Sequence, residues 1–398
     1  MSAIGKMAAP IAMLLLLSGC WDRVELNDLS LITAIAFDKP QQKNSVEVTA
    51  QIIIPKVKGG GDGGSGGGGG GGQAKQTITR TASGVDIADA ISKLQMVIPR
   101  KIFWGQCKVF IFGEEIAREG IQEHMDFLLR HPQPRERGFV FVSKGRGADV
   151  LDLFPPIERS SSEVIRELAQ MKIGLSVTLE QLSIRLKEES GAQALPLVHI
   201  LPKAKSSKPF ETIAYLSGTA VFKDGKMIGE LSSRETRGIL WIRNEIKEYT
   251  VTYEDDPIKG KVSVHPLHAK VKLIPRIENG AWKMEIKVRT AGDLVQNSTP
   301  LNPMNSQVLK KMEIGMQKDI QARIQEALKP LQRELNADIL GFASAYHRKY
   351  PKSWAKAKDE WETRFPEIEV TVDVEARINR PGLVNAPGGM PQVTGKEK

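Results

Sequence analysis

The stretch 306–346 limits what this chain can fold into more than any other. Apolar residues recur at Val308, Met312, Met316, Ile320, Ile324, Leu328, Leu331, Leu335 and Ile339, in steps of three or four. That spacing lays one continuous stripe along an α-helix. A stripe of that length has to be covered, and a sheet can cover it. Strand patterns at 248–253, 262–277 and 282–290 precede the helix, and the alternating 368–378 follows it. Asn279-Gly280 supplies a hairpin turn between two of them. Pro330 lies inside the pattern and is expected to bend or break the helix. Trp354 and Trp361 fall on one face of a following helix and read as core. The prediction for 210–379 is a C-terminal α+β domain, an antiparallel sheet packed on a long helix.

The first third reads differently. Strand-like runs at 31–38, 46–54, 108–112 and 138–143 alternate with helical patterns at 83–97 and 114–130, which predicts an α/β domain over 20–145. Residues 146–209 read as a mainly helical middle domain ending in a linker with lysines, serines and prolines. Asp224-Gly225 between two apolar runs is a second hairpin signal, placed in the C-terminal domain. The fold class is therefore mixed α+β, in three domains. Two stretches stand apart. Residues 58–72 are almost pure glycine, with no side chains to bury and a high cost of ordering, so they read as a disordered insertion between two strands. The tail 380–398, rich in Pro, Gly and Lys, is expected to be disordered.

The N-terminus carries the one residue with a definite chemical expectation. Leu14-Leu15-Leu16-Leu17-Ser18-Gly19-Cys20 closes a short apolar segment that Lys6 precedes. Small residues stand just before the cysteine, as peptidase cleavage requires. The apolar run is too short to span a bilayer of about 20 helical residues. It reads as a lipoprotein signal over 1–19, with Cys20 as the first mature residue and its thiol linked to diacylglycerol. Two acyl chains give stable anchoring where one does not. The surface so tethered is the outer face of a bacterial cytoplasmic membrane.

Composition sets further limits. The chain has 398 residues, 41% apolar and 26% charged, and a net charge of +9. Lysines and arginines are dispersed among acids, so the surplus points to attraction toward anionic headgroups beside the anchor and not to nucleic acid. Only Cys107 remains after Cys20, so no intramolecular disulfide is available; it sits in an apolar run and reads as a buried thiol. His265 and His268 are the one close histidine pair, but three positions apart on a regular strand they face opposite sides. No nucleophile elbow, phosphate loop or dinucleotide fingerprint occurs in context. No catalytic, cofactor-binding or metal residue is assigned, and the chain is not expected to be an enzyme.

These residues together resemble a known family. The opening Gly19-Cys20-Trp21-Asp22-Arg23-Val24-Glu25-Leu26-Asn27-Asp28-Leu29 is similar to the mature start of the Ger(x)C lipoproteins, the C subunits of nutrient germinant receptors in endospore-forming bacteria. The likeness continues through Pro99-Arg100-Lys101-Ile102-Phe103-Trp104-Gly105-Gln106, Gly218-Thr219-Ala220-Val221-Phe222-Lys223, Glu235-Thr236-Arg237-Gly238-Ile239-Leu240-Trp241 and Trp361-Glu362-Thr363-Arg364-Phe365-Pro366. The glycine tract departs from the family pattern. The resemblance implies a subunit on the outer surface of the spore's inner membrane, working beside membrane-embedded A and B subunits in nutrient-triggered germination. It implies no cofactor and no small-molecule ligand of its own. The competing expectation is a lipid-anchored solute-binding protein, which would show two similar α/β lobes around a cleft.

Overall fold

The computed structural model describes residues 25–40, 45–54, 76–155, 158–202, 212–247, 249–255 and 258–380. Cys20, the glycine tract 58–72, most of the expected linker and the tail beyond Arg380 lie outside the described residues. The fold is mixed α+β, built on two sheets.

The first sheet contains β1 (Leu29–Asp38), β2 (Val46–Ile53), β3 (Thr77–Gly84), β4 (Lys101–Phe103), β5 (Val109–Gly113), β6 (Phe139–Ser143), β7 (Ala192–Ile200), β8 (Ala214–Lys223) and β9 (Lys226–Leu231). Their order is β3-β2-β1-β5-β6-β7-β8-β9, with β4 beside the start of β1. The centre, β1-β5-β6-β7, is parallel, and antiparallel hairpins flank it on both sides. A parallel centre needs cover on both faces. Strand β5 shows this residue by residue: Phe110 and Phe112 enter one core, Val109 and Ile111 the other. Helices α1 (Ile87–Val97), α2 (Glu114–Glu119) and α3 (Gln122–Arg130) cover the first face. Helices α4 (Gly147–Leu151) and α5 (Ser161–Gln170) cover the second, and α6 (Leu179–Arg185) returns to the first. The helical pattern over 114–130 is two helices, because Gly120 at φ +136° caps the first. Strand β8 pairs with β7, and β9, joined to β8 by the turn Asp224-Gly225 with both φ positive, pairs with β8. The boundary expected at 209/210 therefore falls inside one sheet: the hairpin signal marks a turn, not the sheet the hairpin joins.

The second sheet holds β10 (Val251–Asp255), β11 (Ile258–Glu278), β12 (Ala281–Asn297) and β13 (Glu369–Arg380), in that order. The first three are antiparallel, while β13 runs parallel to β12. The chain between β12 and β13 carries the long helix α8 (Ser306–Arg333) over the sheet, and a crossover of this kind returns the next strand parallel. Helix α7 (Ser233–Ile242), started by a Ser232–Glu235 capping box, lies against α8. A Cβ at Gly238 would stand 2.2 Å from the Arg323 carbonyl oxygen, so glycine permits this approach. Helix α8 runs through Pro330 and ends at Arg333. The stripe over 306–346 is thus divided. The buried Asp338 carboxylate accepts the N–H groups of Leu340, Gly341, Phe342 and Ala343 at 2.7–3.1 Å, which starts a new helix, α9 (Phe342–Lys349). Trp354 and Trp361 are buried, 5.0 Å apart between ring centroids, beside Trp282 and Tyr346. Val221 and Leu231 of the first sheet share a core with α8.

Candidate functional site

Cys20 lies outside the described residues. The chain is first described at Glu25, forms a short turn over Leu26–Asp28, and enters β1 at Leu29. The first sheet therefore has a definite starting end. At that end the side chain of Gln95 organises the loop between α1 and β4. Its Nε2 donates to the carbonyls of Ile98 and Arg100, and its Oε1 accepts the Ile102 N–H at 2.9 Å. Trp104 packs edge-on against His131, and Arg135 donates to the Gly105 carbonyl.

The opposite end, where the parallel strands finish, gathers charges from distant parts of the chain. Asp38 closes β1, and its carboxylate accepts the N–H groups of Gly147 and Ala148 at 2.7 and 2.8 Å. Burial raises the Asp38 pKa against those hydrogen bonds. Lys144 donates to Glu230 at 2.9 Å and to Glu114 at 3.3 Å, and Arg118 donates to Glu114 at 2.9 Å. Burial opposes the charge of Glu114, but hydrogen bonds from Arg118, Lys144 and the Gly145 N–H hold its carboxyl below the usual range. Lys39 pairs with Glu119, and Arg146 with Glu47. A cleft of about 680 Å³ lies among these groups. Each of the charges just named has a partner, so the arrangement holds strand ends and helix starts together.

A larger cleft, about 1010 Å³, lies between β2, α1 and α3 and includes His124 and His131. The His124 ring stands edge-on to Phe37 and Phe112, with both nitrogens buried and unpartnered. Burial lowers its pKa to about 4, so the ring is neutral near pH 7. Cys107 is fully buried, and burial pushes its thiol up to about 12. At that value it is no nucleophile.

His265 and His268 differ from the regular-strand expectation. A β-bulge between Pro266 and His268 shifts the register, so His265 lies opposite Asp293 and His268 opposite Ala291. Those partners are two apart, which places both histidines on one face. Among the described residues, no group of three His, Cys, Asp or Glu side chains is placed to hold a metal ion. No helix among them is long and apolar enough to cross a membrane. The charge cluster and the bulge escaped sequence reading because both depend on pairings between distant segments.

Comparison with known proteins divides the chain between β7 and β8, inside the first sheet. The family described as spore germination protein N-terminal domain matches residues 22–200, and spore germination B3/GerAC like, C-terminal, matches residues 217–382. Spore germination protein KC of Bacillus subtilis is 28% identical over 95% of this chain and 97% of its own length. Spore germination protein B3 of the same organism is 24% identical over 96% of this chain and all of its own length. GerQC of Bacillus cereus is 19% identical over 92% and 96%. The crystal structure of the GerBC protein superposes with a TM-score of 0.58 at 19% identity, over 87% of this chain and 96% of that one, which shows a shared fold.

Proposed function

The chain belongs to the spore germination B3/GerAC-like family, and from that premise we propose that it is the lipid-anchored C subunit of a nutrient germinant receptor. In this reading it is held by diacylglyceryl-Cys20 on the outer face of the spore's inner membrane. It acts through contacts with membrane-embedded A and B subunits, without catalysis and without a ligand of its own. The observation that carries the reading is the extent of the likeness. Two consecutive family matches take in both sheets, and relatives named for spore germination align along nearly their whole lengths.

A solute-binding protein is disfavoured by the unlike sheets. One is covered on both faces around a parallel centre, and the other lies along a single long helix. They do not form two similar lobes. The test is deletion of the gene with germination scored against a panel of nutrients, complemented by the wild-type chain and by Cys20→Ala. Loss of the response to at least one nutrient, restored by wild type and poorly by Cys20→Ala, is expected. Normal germination with every nutrient, together with failed uptake of one solute by growing cells, would overturn the proposal.

A further inference from the structure

We propose that the starting end of the first sheet rests on the membrane, with Met96, Val97, Arg100 and Lys101 as its contact with an anionic lipid surface. This rests on the Cys20 anchor proposed above.

The reach of the chain comes first. Cys20 precedes the first described residue, Glu25, by five positions, so an extended connection spans at most about 18 Å. Whatever surface holds Cys20 lies within that distance of Glu25. Strand register then says what else is at this end. Leu29 pairs with Lys101, Ile32 with Ile52, and Ile53 with Thr77, so the start of β4, the end of β2 and the start of β3 lie beside the start of β1. Helix α1 delivers its C-terminus to the same place, two residues before Pro99.

That terminus is apolar where water would be expected. Met96 is 82% exposed and Val97 56%, and Ile54 at the end of β2 is 40% exposed. The loop that follows is fixed by the three hydrogen bonds of Gln95, so the apolar pair and the cations after it are held in one arrangement. Arg100, Lys101 and Lys108 are exposed and form no ion pair among the described residues. At the far end, Lys39, Arg118, Lys144 and Arg146 are all paired. Free cations at one end and neutralised ones at the other orient the molecule. Apolar side chains ringed by basic ones match the interface between acyl chains and anionic headgroups.

The test uses the acylated full chain on vesicles of phosphatidylglycerol and phosphatidylcholine. With Cys20 acylated and Cys107 buried, Met96→Cys offers a single reactive thiol for a spin label; Glu115→Cys labels the far end. The ratio of collisions with dissolved oxygen to collisions with an aqueous nickel chelate should be several-fold higher at 96 than at 115. Adding Arg100→Glu and Lys101→Glu should reduce that ratio at 96 and leave it unchanged at 115. Equal ratios at the two sites in a chain shown by mass to be acylated would overturn the membrane contact and leave the anchor standing. A membrane-isolated chain shown by mass to carry no acyl groups, with equal ratios at the two sites, would overturn both.

Discussion

The two sheets solve the same burial problem in opposite ways. In the first, the central strands are wetted on neither face, so β5 is buried along its whole length. In the second, one face of β12 is buried through Met284, Ile286 and Val288. Its other face carries a ladder of charges, with Lys287 beside Asp373 and Arg289 beside Glu375. The difference teaches where a substitution will be felt. A strand with two cores has no harmless position, whereas a one-sided strand tolerates change at every second residue.

That comparison can be broken by measurement. The largest effect is expected for Phe110→Ala, which empties a fully buried position in the first sheet. It should cost about 3–5 kcal/mol in urea unfolding, and a loss below 1 kcal/mol would deny the two-core account. Next is the response to acid. Burial holds His124 neutral in the folded state, with a pKa of about 4 against an ordinary 6.5. Between those values the unfolded chain binds more protons, so stability falls as pH drops from 6.5 toward 4, by up to about 3 kcal/mol. His124→Leu should flatten that step in unfolding curves taken across the window.

Gly238→Ala probes the seam where α7 meets α8 and should destabilise by about 1–3 kcal/mol through a forced shift of the two helices. An unchanged midpoint would show that the helices separate freely. The smallest change belongs to the charged face of the second sheet. Arg289→Ala removes an exposed partner of Glu375 and should alter stability by less than about 0.5 kcal/mol, less still at high salt.

How much of this was legible follows from the same contrast. The alternation in β13 announces a one-sided strand, and Asn279-Gly280 announces the turn before β12; both elements are where their patterns put them. The parallel pairing of β13 is not legible, because alternation carries no direction. The run Val109–Phe112 reads as a strand, but nothing in it says that odd and even residues serve separate cores. α8 ends where Asn336 turns left-handed (φ +45°) and the Ala337 N–H donates to the Leu331 carbonyl, and the Asp338 carboxylate then starts the next helix from an otherwise apolar stretch. For the candidate site the asymmetry reverses. Cys20 is visible only as sequence, whereas the cluster joining Lys144 to Glu230 spans 86 positions and exists only once the strands are paired.

The place of β8 and β9 sets an order of events during synthesis. They are the last two strands of the first sheet, and they come after the segment 203–211 in the chain. Until residue 223 has been made, β7 keeps an open edge of hydrogen-bonding groups, and until residue 231 has been made part of the apolar supply of β8 and β9 to the cores is missing. A chain made from its N-terminus must therefore wait with more than half its length delivered and its first sheet unfinished. That interval is when it is most open to proteolysis, to pairing with a neighbour, and to capture by a chaperone.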